Sequence, residues 1–336
     1  MRSLINKLVE APGPPGHESE VRTLAQTEIE SLVDKVQVDE LGNLLAWKGV
    51  QAEDGLKIML SAHLDEVGLV ASHVEKRGFV RFLPLGPVRP AYCPGARVRF
   101  LNGSPGIIGV ESLPDSGETL DFARMFIDVG ASSRDDCPLR NGDVAVFEGS
   151  FREMGGRLVS KALDNRVGLA VIIETLRQIK EQSLRSPHQI LIAFSTQGEI
   201  GARSVSAAAY NCNPYLSLVI GLMGSRDASG PINASARLGG GPVIIVRDSQ
   251  MITDPRLVSW MTGKAERESL PYQLEIAEDN NRAARNILSV RAGILVGSLA
   301  IPCRYIHSPS EMVDYEDMRN TVRLLVALLR DPVKFD

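Results

Sequence analysis

Two of the five histidines in this chain lie where they could bind a metal ion. His63 ends a short apolar segment, and Asp65 follows two residues later. That spacing lets the Asp65 carboxylate accept the second ring N–H of His63 and fix its tautomer, as metal-bound histidines usually require. His307 lies in the sequence R-Y-I-H-S-P. Taken alone, each histidine could instead be a structural or loop residue.

Two carboxylates, Asp164 and Glu199, could complete such a site. Glu199 closely follows an apolar segment, and Asp164 begins an amphipathic one. Individually, Asp164 has an alternative reading as a helix N-cap and Glu199 as a solvated loop carboxylate. Two imidazoles and two carboxylates together form a nitrogen and oxygen shell suited to Zn²⁺ or Co²⁺. The set His63, Asp164, Glu199 and His307 therefore predicts a metal site.

A sheet whose strands end at one edge would bring these side chains together. Short apolar segments predict buried strands, and apolar residues at helical spacing predict helices. The strands are expected at residues 56–63, 189–195 and 215–220, and the helices at residues 19–33, 164–182 and 316–330. This alternation predicts an α/β domain with a mixed, mainly parallel sheet sandwiched by helices, and with ligands at the carboxyl ends of strands.

The middle of the chain has a different pattern. Short β-rich segments at residues 79–82, 96–101, 106–110 and 143–148 are separated by Gly and Pro. Such punctuation is typical of a small all-β unit. We therefore expect a small β-barrel domain at residues 67–159, inserted into an α/β domain formed by residues 1–66 plus 160–336.

Composition excludes several classes of protein. The chain has 336 residues, 44% hydrophobic and 23% charged, with a formal net charge of -4. These values are typical of a folded globular chain, and the absence of basic runs argues against nucleic acid or anionic membranes as partners. The four cysteines are far apart with no C-x-x-C pair, and the first residues lack the apolar core of a secretion signal. We expect a soluble cytoplasmic protein with reduced thiols.

Five segments, in this order, resemble the glutamyl and tetrahedral aminopeptidases, dinuclear-metal exopeptidases once widely described as endoglucanases. They are D-E-L-G-N at residues 39–43, S-A-H-L-D-E-V-G at 61–68, K-A-L-D-N-R-V-G at 161–168, L-G-G-G-P at 238–242 and I-P-C-R-Y-I-H-S-P-S-E at 301–311. The resemblance covers almost the whole chain. It implies removal of N-terminal residues from peptides and a homo-oligomer, since relatives form a tetrahedral dodecamer with an interior chamber.

The resemblance also implies roles for the candidate ligands. In that family the residue matching His63 binds one metal ion, and the residue matching Asp164 bridges two. The residues matching Glu199 and His307 complete the shell of the second ion, and Asp65 matches the residue that orients the first histidine.

Several site positions depart from the family pattern. Gly198 stands where relatives have the glutamate that acts as general base, and Gly221 stands where they have an aspartate ligand. Asn165 replaces a second aspartate, and the residues around 280–283 lack another. Loss of a positioned base lowers a rate by roughly 10²- to 10⁴-fold. The departures favour one metal ion over two and weak or absent peptidase activity.

Three interpretations remain open on the sequence. The first is an aminopeptidase-family protein of impaired activity. The second is a working aminopeptidase or amide hydrolase with a one-metal or rearranged site, in which Glu66 or Glu311 replaces the base, or Asp227 or Glu278 fills the place of Gly221. The third is a non-catalytic binding or assembly subunit, which would be indifferent to chelators.

Overall fold

Seven helices and seventeen strands are present in the computed structural model, which describes residues 1–111, 119–225, 227, 236–277 and 282–335. The helices are α1 (Arg2–Glu10), α2 (Ser19–Ile29), α3 (Leu163–Glu181), α4 (Ser204–Cys212), α5 (Pro255–Arg267), α6 (Arg282–Leu288) and α7 (Tyr315–Arg330). The strands are β1 (Lys35–Val38), β2 (Leu44–Lys48), β3 (Lys57–His63), β4 (Gly68–Val74), β5 (Val80–Leu85), β6 (Arg97–Phe100), β7 (Pro105–Val110), β8 (Met125–Asp128), β9 (Val144–Phe147), β10 (Arg152–Met154), β11 (Arg157–Ser160), β12 (Gln189–Ser195), β13 (Leu216–Gly224), β14 (Val243–Arg247), β15 (Gln273–Ile276), β16 (Leu295–Arg304) and β17 (Glu311–Asp314).

Eleven strands form one mixed sheet in the order β1-β2-β12-β3-β13-β16-β17-β11-β10, with β14 pairing with β16 and β15 pairing with β14. The four central strands β12, β3, β13 and β16 run parallel, and the outer strands are mostly antiparallel. The central strands are apolar along nearly their whole length because helices cover both faces of the sheet. The predicted α/β fold with a mixed sheet is confirmed.

The other six strands close into a barrel in the order β4-β5-β8-β7-β6-β9. The barrel has a hydrophobic core of its own, separate from the cores of the large sheet. Its strands run from Gly68 to Phe147. The barrel is therefore present, but β10 and β11, which lie inside the expected range 67–159, extend the large sheet through the pairing of β11 with β17.

Helices pack on the two faces of the large sheet over separate hydrophobic cores. Helix α3 is the most deeply embedded, and its apolar residues from Val167 to Ile179 are buried beside α1 and α7. Helices α4 and α6 contribute to the core on the other face. None of the described helices combines the length and the hydropathy that a membrane span requires.

One buried histidine makes the stability of this fold depend on pH. His188 accepts a hydrogen bond at Nδ1 from the Leu56 amide at 3.0 Å, and its Nε2 lies 3.0 Å from the Asp331 carbonyl oxygen. A ring that accepts at one nitrogen and donates at the other is neutral. Burial lowers the pKa of His188. The contribution of the neutral ring is complete above the unfolded pKa of about 6.5 and is lost as pH falls toward the folded value.

We expect His188→Gln to reduce the pH dependence of the unfolding free energy between pH 7.5 and 5.5 by about 1 kcal/mol. Urea denaturation at both pH values, with the exposed His17→Gln as control, measures this difference. An unchanged dependence in the His188 variant would contradict the assignment.

Candidate metal centre

The candidate ligands lie at one edge of the sheet because three chain segments end there. His63 is the last residue of β3 and pairs with Ser195, the last residue of the parallel strand β12. Glu199 follows Ser195 after a short turn, and His307 follows the end of β16. Asp164 lies at the start of α3, but its dihedral angles are non-helical, and the side chain that accepts an amide hydrogen bond from the first turn is that of Asn165. The N-cap interpretation of Asp164 is therefore wrong.

Asp164 lies between the two histidines. Its Oδ1 is 3.6 Å from His63 Nε2, and its Oδ2 is 3.2 Å from His307 Nε2. Glu199 Oε2 is 3.8 Å from His307 Nε2. Three of these residues, His63, Asp164 and Glu199, each have one ligand atom within 4.8 Å of the ligand atoms of the other two. These atoms are close enough together to hold a metal ion. The structure thus brings all four predicted ligands together.

Asp65 occupies the position expected of a residue that orients His63. It is fully buried, and its Oδ1 is 3.3 Å from His63 Nδ1. The hydrogen-bond contact of Nδ1, at 3.2 Å, is with the main-chain carbonyl oxygen of Asp65, whereas the sequence predicted the carboxylate. The same carboxylate accepts hydrogen bonds from the Gly198 amide at 2.6 Å and the Glu199 amide at 2.9 Å. Asp65 therefore couples the position of the His63 ring to that of the Glu199 segment.

Glu311 has a role that the sequence did not reveal. Its side chain is buried and accepts hydrogen bonds from the Asp164 amide at 2.9 Å and the His307 amide at 2.6 Å. It thereby holds two ligand-bearing segments at a fixed separation. Glu311 ends the last segment that matches the family, and that position is the one signal of its role in the sequence.

The electrostatics of the site favour a bound cation. Burial, and then the charge of Asp164, raise the pKa of Glu199 well above its usual range. Burial opposes ionisation of Asp164, but hydrogen bonds from His307 and His63 outweigh it and hold the pKa of Asp164 below its ordinary value. Glu199 Oε1 is buried with no hydrogen-bond partner among the described residues. A buried, unpaired carboxylate oxygen beside two imidazoles fits a metal ion, because such a group is costly without a positive partner.

The two glycines at which the sequence departs from the family pattern, Gly198 and Gly221, differ in the space around their Cα atoms. A Cβ added at Gly198 would lie 2.3 Å from His63 Cγ and 2.4 Å from His63 Cβ, so the imidazole occupies the space that a longer side chain needs. A Cβ added at Gly221 would meet no atom within 4 Å. Gly221 therefore leaves open space in the cavity, whereas Gly198 allows close approach of His63.

Two carboxylates considered on the sequence as replacements at Gly198 and Gly221 lie among the described residues. Glu66 is buried in an ion pair, with its oxygens 2.7 and 2.9 Å from Lys161 Nζ. Asp227 is paired with Arg304 through two contacts of 2.8 Å, and this pairing lowers its pKa. Both carboxylates are therefore engaged elsewhere.

The other altered positions have separate outcomes. The Asn165 side-chain amide donates to the Ile220 carbonyl at 2.8 Å, and its oxygen accepts from the Gly168 amide, so this residue links α3 to β13. Glu278 lies outside the described residues, as do residues 280 and 281. Arg282 is the first residue of α6 and donates to the Glu199 carbonyl at 3.2 Å.

A cavity of about 370 Å³ opens beside the ligand cluster. Its wall includes the four candidate ligands together with Gly198 and Gly221. It continues over the sheet past Met223 and Ile245 to Glu275. The volume is that of a small-ligand pocket with the metal centre at one side.

Comparison with known proteins shows the family of this chain. Residues 42–324 match the sequence model of the M42 glutamyl aminopeptidase family. A lysyl aminopeptidase of Pyrococcus furiosus is 30% identical, and the match covers 98% of this chain and 96% of that protein. The aminopeptidase APDkam598 of Desulfurococcus kamchatkensis has a similar structure, with a TM-score of 0.90, 32% identity and coverage of 98% and 94%.

A second related structure is that of a peptidase that forms oligomers. The TET1 peptidase of Pyrococcus horikoshii, described as assembling into a tetrahedron or a large octahedral shell, has a TM-score of 0.84 and 25% identity, with coverage of 98% of this chain and 99% of that one. Sequence and structure agree over nearly the whole length of these proteins. This chain belongs to the M42 glutamyl aminopeptidase family.

Proposed function

We propose that this protein binds a single divalent metal ion and the amino end of peptides, and that it removes N-terminal residues slowly or not at all. The observation that carries the proposal is that the site has a complete set of ligands for one metal ion but lacks side chains at two positions where relatives have carboxylates. Its nitrogen and oxygen ligands are assembled, whereas Gly198 and Gly221 supply no side chain. Zn²⁺ or Co²⁺ suits this ligand set.

Each side chain of the site has a defined part in this proposal. His63, Asp164, Glu199 and His307 would hold the ion, which when bound would polarise a peptide carbonyl and lower the pKa of water. Asp65 keeps the Nδ1 side of His63 turned away from the cavity. A ligand carboxylate cannot serve as a free base at the same time. Of the two carboxylates considered as replacements, Glu66 is paired with Lys161 and both oxygens of Glu311 accept amide hydrogen bonds, so neither is free to accept the proton of attacking water.

Two other candidate functions remain as alternatives. A working hydrolase with a rearranged site would need a base, and the pairing of Glu66 with Lys161 counts against Glu66 in that part. An assembly subunit without chemistry would need no ligand cluster, so the convergence of four ligand residues supports metal binding. A homo-oligomer, with a dodecamer as the expected form, is proposed from the shells described for the TET1 relative. A cytoplasmic location remains a prediction from the sequence.

Peptide digestion and zinc titration test the proposal together. We expect one equivalent of Zn²⁺ to bind per chain, and trimming of a mixed peptide library to stay below a kcat/KM of about 10³ M⁻¹s⁻¹, beneath the range of ordinary enzymes. The library is read by mass spectrometry with Zn²⁺ or Co²⁺, with chelator, and with Glu199→Ala. Rapid chelator-sensitive trimming that disappears in Glu199→Ala would show a working enzyme. Zinc binding that Glu199→Ala leaves unchanged would exclude the proposed centre.

A further inference from the structure

The end of the cavity away from the ligand cluster contains a second unpaired carboxylate. Glu275 lies on β15 and lines the cavity, and its Oε2 is buried with no hydrogen-bond partner among the described residues. A buried anionic oxygen without a partner is costly. A positively charged ligand group would remove that cost.

The sheet fixes the direction from the metal centre to Glu275. Gly221 pairs with Ala300, and Ala300 pairs with Val243 on β14. Two residues further along β14, Ile245 pairs with Glu275. Three strand spacings therefore separate β13 from β15, roughly 14 Å across the sheet. The pocket is a long trough with ligand residues at one end and a carboxylate at the other.

The floor between the two ends is apolar. Ala236, Val243, Ile245 and Ala300 form one buried cluster, and Met223 packs against it. The open space at Gly221 adjoins this strip. An apolar trough that ends in a carboxylate matches a side chain with an aliphatic stem and a charged head, as in Lys and Arg.

Other charges at the cavity support a cation at this end. Asp248 also lines the cavity and is 3% exposed, and its Oδ1 accepts hydrogen bonds from the Gln250 and Met251 amides at 2.7 Å each. Two arginines line the cavity as well, but both Arg89 and Arg282 are exposed, and Arg282 donates to the Glu199 carbonyl. Solvent can screen exposed guanidinium groups. Glu275 is partly buried, and its Oε2 is the atom without solvent contact or a hydrogen-bond partner among the described residues.

We propose that the Glu275 end of the cavity is a subsite for a positively charged side chain, so that the protein selects peptides whose first residue is Lys or Arg. The proposal rests on the proposed function for placing the peptide amino end at the metal centre. Glu275 determines the charge preference, Asp248 adds a second carboxylate to the wall of the cavity, and the Met223 to Ile245 strip receives the aliphatic stem.

Calorimetric titration with small probes tests the subsite without requiring turnover. The probes are L-lysinamide, L-norleucinamide, which lacks only the side-chain ammonium, the α-amide of L-glutamic acid, and cadaverine. We expect L-lysinamide to bind roughly tenfold or more tighter than L-norleucinamide, the size of one charged hydrogen bond. Glu275→Gln should remove that difference, and Glu53→Gln, an exposed carboxylate before β3, should leave it unchanged.

The outcomes separate this proposal from the proposed function. Equal binding of L-norleucinamide, or tighter binding of the glutamic acid amide, would overturn the subsite even if zinc binds as expected. Tighter binding of cadaverine than of L-lysinamide would overturn the peptide assignment in favour of a free diamine. If the wild-type protein binds no zinc but still binds L-lysinamide more tightly than L-norleucinamide, the subsite is supported and the metal centre is rejected. The probe series on the wild type decides the question if Glu275→Gln fails to fold.

Discussion

Glu199→Gln should stabilise the metal-free protein and at the same time abolish its stabilisation by zinc. Glu199 Oε1 is buried and unpaired, and Asp164 adds a like charge nearby. Removing the negative charge should raise the unfolding free energy at pH 8 by about 1–3 kcal/mol. The raised pKa of Glu199 gives the sign: the cost is absent below the unfolded pKa of about 4.5 and appears as pH rises through the folded value.

With zinc present, the wild type should have the larger unfolding free energy of the two proteins, because zinc binds its native state and not the Glu199→Gln site. A ligand present at 100 times its Kd stabilises the native state by about 2.7 kcal/mol. Thermal unfolding with chelator and with Zn²⁺, at pH 6 and pH 8, measures both effects. Glu53→Gln serves as the control because its carboxylate is exposed. If the metal-free Glu199→Gln protein is less stable than the wild type, another group stabilises the Glu199 carboxylate in the absence of metal, and the prediction is wrong.

Gly198→Ala and Gly221→Ala should differ sharply, although both add one methyl group to the same cavity. The new Cβ at Gly198 would lie 2.3 Å from His63 Cγ, so the ring or the backbone must move. Overpacking of this kind costs about 1–3 kcal/mol. Displacement of His63 from Asp164 should also weaken zinc binding by roughly tenfold to 100-fold, as loss of ligand orientation does.

Gly221→Ala is the matched control, since its Cβ would meet nothing within 4 Å. We expect its zinc affinity and its unfolding free energy to stay within about 0.5 kcal/mol of the wild type. Competition titration with a zinc chelator dye and urea denaturation provide both numbers. Equal behaviour of the two variants would show that His63 is not confined against Gly198.

The contrast between these glycines bears on how the site diverged from the family pattern. Gly198 lies against the candidate ligand His63, so a larger residue there requires a different position of His63 or of the backbone. Gly221 only enlarges the trough that leads to Glu275. The two glycines at which the sequence departs from the family pattern therefore have different structural surroundings.

The sequence by itself determined where the central strands and helices lie and which residues are the candidate metal ligands. The apolar run 189–195 predicted β12 with the bounds that the structure shows, and helical spacing predicted α3 to within one residue at each end. Both signals are local, because a strand buried on both faces is apolar throughout and a buried helix repeats every 3.6 residues. The resemblance added the expected roles of the four candidate ligands, since matching segments preserve residue types and order.

Only the tertiary structure decided what surrounds those ligands. Glu311 reaches the Asp164 amide across 147 residues of sequence, and Arg304 engages Asp227 across 77. The same holds for the empty space at Gly221, the crowded space at Gly198 and the unpaired Glu275 at the end of an apolar trough. Strand pairing and packing create these settings between segments distant in the chain, and no local pattern of side chains records which neighbours a folded sheet will bring together.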